Sequence, residues 1–468
     1  MTERRQEQLE FQALGHRQVV ADFKGGAVTS DAGSLLLREV ESQRGWVEDL
    51  ARCFADHRNP ELIEHTVKEM VMQRVVGLAL GYEDLNDHDL LRHDPLLAVV
   101  CGKTDPTGGN RRCEGDKGKA LAGKSTLNRL ELGETDPDRY KRIVCDASAV
   151  ERLFVEQFIS RRRVAPARLV LDLDATDDPL HGQQEGRFFH GYYGNYCYLP
   201  LYIFCGSELL CAKLRPSNID ASAGALEEVQ RIVGRLREVW PDVQILVLAD
   251  SGFMREELMA WCEGNGVDYV LGLSRNARLE RLLGPSLESA RRYQEIIGRA
   301  VRVFTELNYR TLDSWSRTRR VIGKAEYTEK GDNPRFIVTS LGARAFPAQM
   351  LYEDVYCARG DMENRIKEQQ LDLFADRTST ATLRANQFRL WLSSVAYCFL
   401  NDLRELGLAG TRLAKAQCGT IRTRLMKIGA LVCVSVRRVL VRMAESCPFQ
   451  DVFVDALLAL RALPRAVL

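Results

Sequence analysis

Up to about residue 165, apolar side chains recur every three to four positions. Leu62, Ile63, Val67, Met70, Val71, Val75 and Leu78 fall on one helical face, and Gly81 supplies a stop. Ser30 or Asp31 is positioned to cap an earlier helix through Leu35, Leu36, Leu37 and Val40. Residues 102–124 carry Gly, Lys and Arg without periodicity and read as a loop, with a helix resuming near Ser125. From Arg168 the pattern changes to alternation and short apolar runs. RLVLDLD, YCYLPLYIFC, ELLCAKLR, VQILVLAD and VDYVLGLS are predicted strands. Gly206-Ser207 is a hairpin joint between the second and third. ALEEVQRIVGRLREVW and REELMAWCEGNG are predicted helices between the later strands. Three strands followed by βα alternation imply a mixed five-strand sheet with helices on its faces. Between about 295 and 345, VRVFTELNYRT, RTRRVIGKAEYT and PRFIVTSL read as three exposed antiparallel strands, and helix resumes near Tyr352.

Composition narrows the class without naming it. At 468 residues the chain exceeds one ordinary core, and 45% apolar with 28% charged residues describes a globular protein. A net charge of +1 means that any polyanion-binding surface must be regional. Thirteen cysteines with no CxxC pair read as reduced thiols, not as a disulfide framework or a zinc ribbon. No signal-peptide pattern and no long apolar span is present, so a cytoplasmic location and no membrane contact are expected.

Three acids stand out. Asp174 ends RLVLDLD, Asp250 ends VQILVLAD, and Glu363 lies in the helical segment YCARGDMENRIKE. Asp172 shares a sheet face with Asp174, because side chains two apart on a strand point the same way. Both remain candidates, with Asp174 favoured because the strand should terminate there. Tyr356, Arg359, Glu363, Lys367 and Gln370 are spaced three or four apart and would stack on one face of a regular helix, a face on which Arg359 and Lys367 are placed to hold phosphate, the Tyr356 ring to stack on a base and the Gln370 amide to donate to DNA. Widely separated carboxylates that a fold can gather suit divalent cations and phosphoryl transfer. Each acid alone has a plainer explanation, as a turn cap or as part of a solvated salt-bridge ladder. The combination in this order is harder to dismiss.

The stretches LDLDATDDPLHGQQEGRFFHGYYGNYCYLPLYIF, ILVLADSGF, YCARGDMENRIKEQQLDLFADRTS and ANQFRLWLSSVAY, with FKGGAVTSDAGSLLL near the start, resemble bacterial insertion-sequence DDE transposases, specifically transposase DDE domain group 1. The resemblance runs over most of the chain. It implies an α/β ribonuclease-H-like core, with Asp174, Asp250 and Glu363 as catalytic, metal-binding acids. It implies two Mg²⁺ ions, with Mn²⁺ able to substitute, and cleavage of transposon-end DNA followed by joining of the 3′-hydroxyl to target DNA. Tyr356, Arg359 and Glu363 fit the tyrosine-arginine-glutamate-lysine signature of related families. The signature's lysine is Gln370 here, and Lys367 lies one turn earlier. Expected partners are double-stranded DNA, at terminal inverted repeats and target, and a second copy of the chain. A cutting-only nuclease and a non-catalytic DNA-binding descendant are the rival readings.

The expected organisation is a helical DNA-binding region (1–165), the core's first part (166–294), a β-rich insertion (295–348), the core's final helices (349–405) and a basic C-terminal region (406–468), both terminal regions being helical. Residues 411–442 hold eight Lys or Arg and no acid. Arg422, Arg424, Lys427, Arg437 and Arg438 are therefore candidate DNA contacts. GKALAGKS (118–125) matches a phosphate-loop pattern, but no core strand precedes it and no nucleotide cofactor is expected. His181 and His190 read as structural histidines, with lining of the site by the surrounding segment as the alternative. Trp315 is read as a hairpin aromatic, with base stacking as the alternative.

Overall fold

The computed structural model describes residues 8–133 and 140–463. Two compact units divide the chain: residues 145–401, and residues 1–144 together with 402–468.

Residues 145–401 are built on one large mixed sheet. Its strands in chain order are β1 (Arg168–Ala175), β2 (Leu201–Cys205), β3 (Glu208–Lys213), β4 (Gln244–Ala249), β5 (Asp268–Leu273), β6 (Val301–Tyr309), β7 (Arg319–Thr328), β8 (Gly331–Asp332) and β9 (Arg335–Thr339). The spatial order is β3-β2-β1-β4-β5-β9-β7-β6, with β8 alongside β7. Strands β1, β4 and β5 are parallel, and the others attach antiparallel. The mixed α/β class is as expected. The expected separate insertion of exposed strands is not what forms: β6 to β9 continue the same sheet from the edge of β5, which makes it nine-stranded. Strands β7 and β9 are mostly buried, because their apolar residues pack on the same core as β5. Trp315 is core as well, 2% exposed and edge-on to Tyr309. The predicted strand 196–205 is broken at Leu199-Pro200. Its first half pairs in a small three-stranded sheet and only its second half enters the main sheet.

The alternation in β1 decides which face carries chemistry. Leu169, Leu171 and Leu173 are buried with Val229, Ile232 and Leu236 of the helix Ala225–Val239. Each such leucine contributes on the order of 1.5–3 kcal/mol. Val170, Asp172 and Asp174 therefore point to the opposite face. That face is covered by Leu351 and Tyr352, with Val355 and Tyr356 packed against the same cluster. The covering segment is an irregular helix. A π turn (Leu351–Tyr356) leads through a short 3₁₀ turn into an α-helix (Gly360–Lys367), and a second π turn follows (Glu368–Asp372). The helix Ala277–Ile297, which the apolar pattern leaves unassigned, runs along β6 and β7.

In the other unit, the helix Val67–Leu80 begins with a capping box between Thr66 and Glu69 and ends at Gly81, which adopts φ 93°. Both terminal regions hold strands where helix alone was expected. Leu9–Leu14 and Arg17–Ala21 form an exposed hairpin. Ala430–Val434 and Val439–Met443 form a ribbon that Val28–Thr29 extends. No helix among the described residues is long and apolar enough to cross a membrane.

Candidate active site

Parallel register brings the two strand-end acids together. Ala249 of β4 pairs with Leu173 of β1, so the following residue, Asp250, falls beside Asp174. Asp250 then starts a 3₁₀ turn, its Oδ1 accepting from the Gly252 N–H at 2.8 Å. Burial drives the Asp174 carboxyl up to about 7; Arg359 opposes this, and the charges of Asp250 and Asp172 add to it. The Asp172 carboxyl rises to about 6, again through burial, with Arg359 pulling it down and Glu363 contributing upward.

Arg359 is the centre of this arrangement. Its Nε donates to Asp172 Oδ1 at 2.8 Å and its Nη2 to the Leu173 carbonyl at 3.1 Å, while Nη2 lies 3.9 Å from Asp174 Oδ1. The sequence placed this guanidinium as a phosphate holder; in the structure it is committed to the two β1 acids. Tyr356 packs over β5, where position 272 has no side chain. A Cβ there would come within 2.6 Å of the Tyr356 hydroxyl and 2.7 Å of the Ser251 nitrogen. Glycine at 272 is thus what lets the aromatic ring and the Asp250 turn meet.

Glu363 and Lys367 are exposed on the α-helical part of the covering segment. Gln370 is not on that face. Its Nε2 donates to the Asp177 carbonyl at 3.0 Å and to Asp178 Oδ1 at 2.9 Å. Asp178 is fully buried and burial pushes its carboxyl well above the usual range, so Gln370 satisfies a buried acid instead of facing solvent. The physical reason is the second π turn, which rotates later side chains away from regular α-helical spacing. The sequence reading also passed over Tyr193. Burial raises this phenol, and Asp177, Asp174 and Asp250 add to the shift, which places it at the acids. The only prior signal was its position in the HGYYGNY segment. Arg365, which lowers the Asp172 carboxyl, was likewise not singled out.

Oxygen-only donors are the right chemistry for a hard divalent cation, and the half-buried Asp174 and Asp250 form a carboxyl pair whose mutual repulsion such a cation would relieve. Among the described residues, however, no group of three or more His, Cys, Asp or Glu is arranged to hold a metal ion.

In the basic tract, two candidate DNA contacts are engaged within their own unit. Arg422 donates to the carbonyls of Ala79 and Leu78 at the end of the helix Val67–Leu80. Lys427 pairs with buried Asp31 at 2.7 Å and lies 4.1 Å from the Tyr82 ring centroid. Arg424 is exposed, its guanidinium 5.8 Å from the Phe449 ring centroid. Arg437 and Arg438 are exposed at the tip of the Ala430–Met443 ribbon.

Residues 11–465 match the family described as Transposase DDE domain group 1. No curated protein matches the chain. Among solved structures, the cryo-EM structure of a piggyBac transposase synaptic complex with hairpin DNA is similar at 10% identity and a TM-score of 0.39, over 85% of this chain and 80% of that one.

Proposed function

Because the chain belongs to the transposase DDE domain group 1 family, we propose that it cuts transposon-end DNA and joins the freed 3′-hydroxyl to target DNA. The observation that carries the reading is the register that sets Asp250 beside Asp174, under a helical segment bearing Arg359 and Glu363. We read the first five strands, in the spatial order β3-β2-β1-β4-β5, as a ribonuclease-H-like core that β6 to β9 extend.

Asp174 and Asp250 are the residues that would hold a divalent cation such as Mg²⁺, and Glu363 is the third ligand the family resemblance implies. Bound there, two such ions supply positive charge where the phosphodiester develops negative charge. The chain's own groups do the rest. Burial raises the Asp174 carboxyl to about 7 in the free chain, and a cation held there would favour its ionised, ligating form. Arg359 keeps Asp172 and Asp174 in fixed rotamers. The Tyr193 and Tyr356 phenols lie near enough to the acids to feel their charge. Lys367, Arg424, Arg437 and Arg438 offer exposed cations to DNA backbone, and a second copy of the chain would serve the second transposon end.

The test is a Mg²⁺-dependent reaction on end DNA with the full chain and with Asp174→Asn, Asp250→Asn and Glu363→Gln. Each variant should bind end DNA and fail to cut or join it. Cutting without joining of a precut end would identify a nuclease, and unimpaired cutting by all three variants would refute the site. Loss of cleavage in Asp172→Asn with retention in Asp174→Asn would move the ligand to Asp172.

A further inference from the structure

The ribbon formed by Ala430–Val434 and Val439–Met443 is buried at its base and bare at its tip. Ala430, Val432, Val441 and Met443 on one face pack with Ala32 and Ile428. Val28–Thr29 pairs with the first two residues of the ribbon. Beyond that anchor every residue from Cys433 to Arg438 is exposed, and Val436 at the turn is fully so. The turn is nonetheless held in shape. The Ser435 N–H and hydroxyl both donate to the Arg438 carbonyl, at 2.9 and 2.8 Å. Alternation puts Arg438, Leu440 and Arg442 on the face away from the core. Arg437, Arg438 and Arg442 are exposed and form no ion pair among the described residues. No Asp or Glu occurs from residue 411 to residue 444.

An anchored arm that ends in an uncovered valine beside unpaired arginines fits duplex DNA by charge and by shape. The guanidinium groups complement phosphate. A two-stranded ribbon can lie along a major groove, ~12 Å wide, but the inner face of this one is committed to the core. What is free to enter a groove is the turn of Val436 and Arg437, a width suited to the minor groove at ~6 Å. Apolar side chains inserted there unstack a base step and bend the duplex. We propose that the ribbon is a minor-groove arm for the transposon-end duplex. Val436 wedges at a base step, Arg437 enters the groove beside it, and Arg438 and Arg442 hold the flanking phosphates. This rests on the transposase reading above for the identity of the DNA, and adds to it the groove entered and the deformation imposed.

The experiment compares the full chain with Val436→Ser, Arg437→Ala and Arg438→Ala/Arg442→Ala. The probe is a transposon-end duplex labelled at both ends for energy transfer, over a salt series, with netropsin as minor-groove competitor and methyl green as major-groove competitor. Two lost phosphate contacts should reduce the slope of log affinity against log salt by about 1.8, at about 0.9 per contact. Val436→Ser should keep the slope and lose the rise in energy transfer that the wild type produces on binding. Netropsin should weaken wild-type binding far more than Arg437→Ala binding, and methyl green should affect the two alike. Displacement by methyl green and not by netropsin puts the tip in the major groove and overturns the proposal. So does an unchanged slope in the double variant, or undiminished bending by Val436→Ser. Variants that bind DNA normally but self-associate less in sedimentation would give the tip to a protein partner and overturn it as well. Asp174→Asn, tested in parallel, separates the two readings. Normal cleavage by that variant, with the ribbon effects present, sinks the active-site reading alone. DNA bound but uncut by it, with ribbon variants that match the wild type, sinks the arm alone. The substituted ribbon residues are exposed, so unchanged thermal unfolding is expected of the variants.

Discussion

Replacing Arg359 with alanine is the sharpest physical test of the acid cluster. The guanidinium is 12% exposed, Asp172 13% and Asp174 18%, so the charges interact with little solvent between them. At an effective dielectric near 20, unit charges ~4 Å apart attract by about 4 kcal/mol. Removing one member of a buried pair typically costs about 3–5 kcal/mol, because the remaining charge stays buried. We expect a loss of about 3 kcal/mol in urea unfolding at a pH near 8. The pH dependence carries the argument. Asp172 and Asp174 titrate at about 6 and about 7 in the folded chain, above their ordinary 3.8. Their protonated forms therefore favour the fold, and the stability this contributes is present at low pH and lost as pH rises through 6 to 7. Without Arg359 the anionic forms are less tolerated still. The variant's deficit should shrink to about 1 kcal/mol near pH 5, where both acids are neutral and only hydrogen bonds and packing are lost. Adding Asp172→Asn should restore more than about 1 kcal/mol at the higher pH. An equal deficit at both pH values, or no restoration by Asp172→Asn, would refute the electrostatic account.

Three further outcomes are expected. Gly272→Ala drives a methyl group against the Tyr356 hydroxyl and the Ser251 nitrogen, so it should cost about 1–3 kcal/mol in thermal unfolding and abolish cleavage, with wild-type stability refuting the close approach. Gln370→Leu strands the buried Asp178 carboxyl and should cost about 2 kcal/mol, while Gln370→Lys should leave the salt dependence of DNA binding unchanged, because position 370 faces Asp177 and Asp178. Burial, with Arg74 adding to it, pushes His88 down from 6.5 to about 3. Neutral His88 thus contributes stability above its unfolded value that is lost as pH falls, at up to about 1.4 kcal/mol per pH unit below 6.5. Relative to His88→Gln, the wild-type melting temperature should drop between pH 7 and 5, and parallel curves would count against it.

The sequence by itself determined the central strands of the main sheet and which of their side chains share a face. Alternation in RLVLDLD puts Asp172 and Asp174 on one side because side chains alternate across any strand, whatever surrounds it. The apolar run before Asp250 and the helix stop at Gly81 followed from equally local rules, whereas Leu62 and Ile63, counted on the helical face, precede the helix in a separate 3₁₀ turn and its exit. Only the tertiary structure decided the partners. β6 to β9 extend the main sheet because the edge of β5 leaves backbone groups to pair, and nothing in their own residues says so. Arg359 turns to the β1 acids, and Arg422 and Lys427 to a helix end and a buried aspartate, because a long cationic side chain goes where fold-wide burial leaves a charge or carbonyl unmatched. The face drawn through Tyr356, Glu363 and Gln370 assumed one regular helix. Two π turns break that spacing, and the regular helical periodicity read from the sequence does not encode them.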